Sequence, residues 1–265
     1  MAKSKIAMRA IGVHRERLLA GKPGADMMIL QATGRNLKQG GARVSISHAD
    51  KLGSNRKVDV IFTMARTAPV HRLLEAYEAR GVTVINSPRA VADSLNRKLT
   101  YSRFKKACIP IPETKVVDID AVKPEAMKGK FIFKRPDRHE FTKVVSGAGE
   151  IRSALDFYRQ QGLSEIVIQR FVEGTHVKFY GVGKEIFLPE GIGKQVGKDA
   201  IGKLRKYAAK GGEVSGLKIF GGDMIVSGSK IYVVDLNDWP SFSSIRDKAA
   251  PKMAKLIEKE HRSRR

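Results

Sequence analysis

The sequence is poor in the features that would point at once to a common chemistry. It holds one cysteine, Cys108, which excludes an internal disulfide and any zinc site built on cysteine thiolates. No apolar run approaches the roughly 20 residues of a membrane span. The opening residues Met1, Ala2, Lys3, Ser4, Lys5 and Ile6 pass into a strand-like pattern without the apolar stretch of a signal peptide. A reducing, cytoplasmic setting is expected. There is no Gly-x-x-x-x-Gly-Lys-Ser/Thr run, no Gly-x-Ser-x-Gly and no His-Glu-x-x-His, so a P-loop, a serine-hydrolase elbow and a zincin helix are all excluded. Acidic side chains are scarce as well: 27 Asp+Glu stand against 50 Lys+Arg, a formal net charge of +23. Such an excess concentrates anions around the protein. Nucleic acid, an anionic membrane surface and a small polyanion all fit it, as does a basic surface that serves solubility alone.

What is present is enough to fold. The 265 residues with 42% apolar side chains can bury the cores of two or three lobes. Alternating strand and helix patterns open the chain: a strand at 6–12, a helix at 25–39 stopped by Gly40-Gly41, strands at 42–47 and 58–64, a helix at 69–80 stopped by Gly81, and a strand at 82–86. That alternation predicts a parallel sheet covered on both faces. A helix follows at 89–107, interrupted near Asp93, and the turn Ile109-Pro110-Ile111-Pro112 ends it, since neither proline can continue a helix. Strands are predicted at 114–117, 130–134 and 165–171, with a helix at 150–161. Next come a hairpin of 176–183 with 185–188 and a mobile basic loop over 189–212 containing a short helix at 200–209. A second hairpin of 222–226 with 230–235 and a final helix at 244–261 complete the chain.

The second hairpin carries the strongest chemistry. With its turn at Ser227-Gly228-Ser229, antiparallel pairing brings Asp223 and Asp235 to the same end of the ladder, and Asn237 points to the same face as Asp235. Two carboxylates and an amide oxygen are hard ligands of the kind magnesium takes together with phosphate oxygens and water; a hairpin with merely polar ends would look the same. Lys134 closes the apolar run Phe131-Ile132-Phe133, where it meets a phosphate or simply reaches water. Arg97, on the preceding helix, has the same two readings. Gln169 and Phe171 stand at the exit of a buried strand, a suitable place to read adenine. His139 is either a phosphate donor or an ordinary loop histidine.

The order of these features resembles the ATP-grasp superfamily over Asn86 to Ile257: a basic helix, an Ile-Pro-x-Pro turn, a strand ending in lysine, a Gln-x-Phe hinge and an Asp…Asp-x-Asn hairpin. Within it, three passages are similar to the inositol-phosphate kinases, above all the diphosphoinositol pentakisphosphate kinase branch. Gly174-Thr175-His176-Val177-Lys178-Phe179-Tyr180-Gly181-Val182-Gly183 is similar to that branch's "GTDVKVYTVG". Tyr232-Val233-Val234-Asp235-Leu236-Asn237-Asp238-Trp239, followed by Ser241-Phe242, is similar to "YVCDVNGFSF", and Asn96-Arg97-Lys98 to "DRR". Amide-forming members generally carry Glu where this chain has Asp235. Pro240 is inserted relative to the kinase motif, and Arg138-His139-Glu140 stands where many ligases have a glycine-rich loop.

The resemblance implies an N-terminal α/β domain over 1–95 and two α+β lobes, 96–172 and 173–265, that clamp ATP between them. It implies one or two Mg²⁺ ions on Asp223, Asp235 and Asn237. ATP would be bound by Arg97, Lys134, His139, Gln169, Phe171 and Lys178, with Lys178 and His139 acting on the transferred phosphoryl group. Arg66, Arg89, Lys194, Lys198 and Lys203 are the residues expected to hold an anionic acceptor, a phosphorylated polyol being the first expectation. Phosphoryl transfer to an inositol polyphosphate is thus the first function expected. An ATP-grasp ligase that forms an amide through an acyl phosphate is the alternative, and a nucleic-acid-binding protein with a degenerate core is the third.

Overall fold

A computed structural model of the chain describes residues 7–16, 23–137 and 141–264. Its first sheet holds β1 (Arg9–His14), β2 (Arg43–His48), β3 (Val60–Thr63) and β4 (Thr83–Ile85), all parallel, in the order β2-β1-β3-β4. Two helices cover its opposite faces. α1 (Pro23–Gln39) sets Leu30 and Leu37 against Ala10, Val60 and Phe62, while α2 (Ala68–Ala79) sets Leu74 and Tyr77 against Ile11, Val13 and Ile61. Burial on both sides is why these strands read as continuous apolar runs. The helix expected at 89–107 with an interruption near Asp93 is two helices, α3 (Pro88–Leu95) and α4 (Arg97–Lys106). The break falls at Asn96, whose side-chain oxygen accepts the Leu99 amide at 3.1 Å and so starts α4.

The second sheet is antiparallel in the order β5-β8-β6-β7, from β5 (Thr114–Asp118), β6 (Lys130–Lys134), β7 (Lys143–Ser146) and β8 (Glu165–Arg170). On one face α5 (Gly147–Gln160) packs Ile151, Leu155 and Tyr158 against Phe133 and Ile166, and the Tyr158 hydroxyl donates to the Phe133 carbonyl at 3.0 Å. The other face carries Ile132 and Lys134, by the alternation of β6.

The third sheet, β10-β9-β11-β12, is also antiparallel and contains β9 (Thr175–Val182), β10 (Glu185–Phe187), β11 (Ile219–Ser227) and β12 (Lys230–Asp238). The basic loop expected over 189–212 is instead α6 (Ile192–Val196) followed by α7 (Lys198–Ser215). Glycine in this helix is a packing device: a Cβ built on Gly212 would lie 2.3 Å from the Phe220 ring of β11. The bare backbone lets helix and sheet close on one another, at a cost in helix propensity.

α8 (Arg246–Ser263) runs back against α1 and joins the first and third sheets in one core. Trp239, Phe242, Met253 and Ile257 pack there with Phe62 and Leu30, and the Trp239 and Phe62 rings stack at 6.2 Å. Burying each such phenyl ring stabilises the fold by about 2 kcal/mol. Asn86, fully buried, pins the end of β4 to β11 through its amide, donating to the Ile219 carbonyl at 2.7 Å and accepting from the Ile219 amide at 2.9 Å. Among the described residues no helix is long and apolar enough to cross a membrane.

Candidate functional site

Three strands place one charged residue each on a single rung of the third sheet. Lys178 of β9 is in register with Asp223 of β11, which is in register with Asp235 of β12. The Lys178 ammonium lies 3.0 Å from Asp223 Oδ1, and His176 Nε2 lies 3.2 Å from the same oxygen. Asn237 donates its amide to Asp235 Oδ2 at 2.8 Å, which leaves the amide oxygen on the same side. Like charges opposite one another destabilise a ladder, so the Asp223–Asp235 pair calls for positive charge. Burial pulls the Lys178 pKa down, but the hydrogen bond and charge of Asp223, with Tyr180 and Asp235, outweigh it and raise the net value. Among the described residues no group of three or more His, Cys, Asp or Glu side chains is arranged to hold a metal ion by itself. The donor set therefore fits magnesium, which draws its remaining ligands from phosphate and water, better than a metal that needs an all-protein cage.

The rung borders a cleft of about 620 Å³ between the second and third sheets, of a size that takes a nucleotide. Arg97, Lys134, Phe171, Asp223 and Asp235 all line it. Lys134, 5% exposed, donates to Gln169 Oε1 at 2.9 Å and to the Val234 carbonyl at 2.9 Å, beside Asp235. Burial depresses its pKa to about 8; Asp235 and Asp223 oppose the shift and Arg97 adds to it. Arg97 is equally buried and donates to the Arg135 carbonyl at 2.9 Å. These two cations are held in place before any ligand arrives, the condition under which charged donors bind phosphate best.

Gln169, expected to read adenine, stands at the exit of β8 but is not part of the cleft wall. It is fully buried, accepts from Lys134 and donates to Thr114 Oγ1 at 3.0 Å. Its side chain holds Lys134. The cleft wall includes the chain just beyond β8, Phe171-Val172-Glu173-Gly174, which belongs to no strand; the Phe171 amide still donates to the Lys130 carbonyl at 3.0 Å. Glu173 was not singled out in the sequence, although its place after the apolar strand, beside Gly174, was a usable signal. His139 lies outside the described residues.

The five residues expected to hold the acceptor separate. Lys194, Lys198 and Lys203 lie on α6 and α7. α7 packs through Leu204 and Ala208 on the face of the third sheet that carries Val177, Phe179 and Leu236, opposite to the face of Lys178 and Asp235. Arg89 is exposed on α3 and is not part of the cleft wall. Arg66 alone reaches the third sheet, pairing with Asp238 at 2.5 Å, three residues beyond Asp235.

Around Arg66 the structure gathers residues that sequence reading passed over. Arg15, just past β1, pairs with Asp26 at 3.3 Å and donates to the Trp239 carbonyl at 3.4 Å. Glu16 accepts from the Arg66 and Thr67 amides at 3.1 and 2.9 Å and so closes the start of α2. The signal was positional: in an open parallel sheet, functional groups collect beyond the carboxyl ends of the strands.

Comparison with known proteins places this arrangement. No protein-family model matches the chain. It is 31% identical over 163 residues to the tetrahydromethanopterin:alpha-L-glutamate ligase of Methanosarcina acetivorans, a match covering 55% of this chain and 45% of that protein. The chain thus spans less than half the length of that relative. Among solved structures it superposes on the D-alanine–D-alanine ligase of Bacillus anthracis with TM-score 0.77 and 12% identity, covering 97% of this chain and 99% of that one. It also superposes on a RimK domain ATP-grasp protein of Sphaerobacter thermophilus with TM-score 0.76 and 16% identity, covering 94% and 99%. The inositol-phosphate kinase branch finds no support among these relatives. The chain has the ATP-grasp fold.

Proposed function

We propose that the protein is an ATP-dependent carboxylate–amine ligase. The observation that carries this reading is the rung Lys178–Asp223–Asp235 set beside Lys134 and Arg97 on one nucleotide-sized cleft. The ligase relatives named above support this reading over phosphoryl transfer to a polyol. MgATP would supply the phosphoryl group: a carboxylate oxygen attacks the γ-phosphorus, ADP leaves, and an acyl phosphate forms. An amine then attacks the acyl carbon, phosphate leaves and one proton is released, giving an amide.

In this reading Asp223, Asp235 and the Asn237 oxygen hold one or two Mg²⁺ ions. Lys134 and Arg97 neutralise nucleotide phosphates, Lys178 steadies the transferred phosphoryl group, and His139 keeps the role of phosphate donor expected from the sequence. Gln169 positions Lys134. The backbone of Phe171 to Glu173 reads adenine, and the Glu173 carboxylate suits ribose hydroxyls. Such chemistry needs positioning and charge stabilisation more than covalent participation by the protein.

Phosphoryl transfer to a phosphorylated polyol is the second reading, favoured by Asp235 and Lys178 at their motif positions and by the net charge of +23. A degenerate nucleotide site serving nucleic-acid binding is disfavoured by the filled metal and lysine positions. The products separate all three. Incubation with ATP, Mg²⁺ and a panel of amino acids, peptides and inositol phosphates should yield ADP, free phosphate and an amide, read by mass. A phosphorylated inositol without free phosphate would replace the ligase by a kinase.

A further inference from the structure

The second sheet has a cavity on the face opposite to Lys134. By strand registry, Lys115 and Val117 of β5, Phe131 of β6 and Ile168 and Arg170 of β8 share the face that α5 covers, while Ile132 and Lys134 take the other. Between the α5 face and the segment 121–128 lies a groove of about 550 Å³, a size that takes a small molecule. Val117, Met127, Phe131 and Ile168 give it apolar walls. Lys115, Lys123, Lys128 and Arg170 add four positive charges, against the one carboxylate of Glu113.

Glu113 pairs with Lys115 at 3.4 Å. Two other acids of this region turn to α5 instead: Asp120 pairs with Arg159 at 2.9 Å and Glu125 with Arg152. Lys123 and Lys128 have no carboxylate partner among the described residues. Arg170 is firmly seated. Its guanidinium lies over the Phe131 ring at 4.5 Å, and its Nη1 donates to the Lys128 carbonyl at 2.8 Å. A Cβ built on Gly129 would come within 2.9 Å of that nitrogen, so the seat needs glycine there. A guanidinium laid on an aromatic ring keeps its remaining N–H groups for a carboxylate. The apolar walls then suit a body attached to that carboxylate, and a purely polar anion would gain nothing from them.

Arg170 also lines the nucleotide cleft. Phe171 follows it, with its ring 4.2 Å from the Lys130 ammonium and its amide on the Lys130 carbonyl. The strand end that carries the Phe171–Glu173 wall of the cleft is thus the one whose arginine the groove holds.

We infer that this groove is a second, regulatory ligand site for a small carboxylate with an aromatic or branched apolar body, and that Arg170 links it to the nucleotide cleft. A ligand that fastens Arg170 to the groove holds the Phe171–Glu173 wall in place. The two sites therefore bind cooperatively, each raising the affinity of the other by the same factor. The site serves an amide-forming enzyme and a kinase equally, since the link runs through the nucleotide alone.

Phenylbutyrate is the probe, titrated into the full chain with methyl-labelled methionine while NMR spectra are followed. Met127 is assigned through Met127→Leu. Phenylbutyramide keeps the body without the charge, and acetate keeps the charge without the body. The Met127 signal should shift with phenylbutyrate, and each control should bind at least about tenfold more weakly. Lys115→Glu combined with Lys123→Glu, at two exposed positions, should weaken the probe by about tenfold and leave AMP-PNP affinity without the probe unchanged. With AMP-PNP and Mg²⁺ filling the cleft, the probe should bind about fivefold more tightly, and AMP-PNP should gain the same factor from the probe. Arg170→Ala should weaken the probe and bring that factor to one. Phenylbutyrate that leaves Met127 unmoved, binds no better than its amide or keeps its affinity in the double variant would overturn the site. Displacement of the probe by AMP-PNP would put it in the nucleotide cleft and overturn the site as well. A factor of one in the wild type would overturn the link through Arg170.

Discussion

Asp223 and Asp235 face each other across β11 and β12, with Lys178 of the neighbouring strand on the same rung, 3.0 Å from Asp223, to offset part of their like charge. A divalent cation relieves that repulsion. Mg²⁺ with AMP-PNP at a hundredfold excess over Kd should therefore raise the melting temperature of the wild type by about 5–10 °C. Asp235→Asn should melt at a similar temperature without ligand and lose most of the rise. An undiminished rise in that variant, read by scanning fluorimetry, would remove the pair from the metal site.

Lys134 makes nucleotide binding depend on pH. Its folded pKa of about 8 lies below the ordinary lysine value of 10.5 because burial disfavours the ammonium. Below about 8 it is charged and ready for phosphate. Above it the nucleotide must restore the proton, so affinity should fall by up to about tenfold per pH unit as pH rises past 8. Calorimetry at pH 9 in buffers of differing ionisation enthalpy should show net proton uptake. For the empty protein the sign is opposite: between about 8 and 10.5 the unfolded chain holds more protons at this group, so its penalty on stability fades as pH rises. The stability of wild type minus that of Lys134→Met should grow across that window.

Gln169 should matter for Lys134 and for the fold rather than for base recognition. Gln169→Leu leaves the Lys134 ammonium without one acceptor and Thr114 without its donor. A loss of about 1–3 kcal/mol is expected in urea denaturation, with a weaker AMP-PNP affinity and an unchanged preference for ATP over GTP. A variant that confuses the two bases would return Gln169 to the adenine site.

Much of this site was legible because strand registry follows from a turn. Once Ser227-Gly228-Ser229 is read as the hairpin turn, Asp223 and Asp235 must fall at the same end of the ladder; their direct pairing needs the bulge at Val234, between Met224↔Val233 and Asp223↔Asp235, which the turn alone does not show. The resemblance in the order of Arg97, Lys134 and the hinge supplied the fold. Orientation was not legible: Gln169 stands at the strand exit as expected, but its partners Thr114 and Lys134 come from neighbouring strands that only the fold brings beside it. β7 escaped notice because a four-residue strand carries too little alternation to stand out. The stretch holding Lys194, Lys198 and Lys203 looked like a loop because glycines lower helix propensity, while the need for Gly212 beneath Phe220 is a tertiary fact.

That tertiary fact is itself testable. Gly212→Ala should raise local helix propensity yet destabilise the protein by about 1–3 kcal/mol through crowding of the Phe220 ring. A more stable variant in urea denaturation would show that α7 and β11 do not pack this closely.

The opposite face of the third sheet should be silent in catalysis. Replacing Lys194, Lys198 and Lys203 together by alanine should leave nucleotide affinity and acceptor KM within about twofold at physiological salt, where charges beyond the Debye length are screened. A tenfold rise in acceptor KM would bring α6 and α7 into the site.

The central claim, an amide-forming enzyme working from the Asp223–Asp235 rung, meets its most direct test in the products. Wild type and Asp235→Asn are each incubated with ATP, Mg²⁺ and the panel of amino acids and peptides, and ADP, phosphate and new masses are measured together. The account predicts ADP and phosphate in equal amounts with one amide from the wild type, and a loss of about a hundredfold or more, roughly 2.7 kcal/mol, in the variant. A phosphorylated acceptor without free phosphate, or an Asp235→Asn protein as active as wild type, would contradict it.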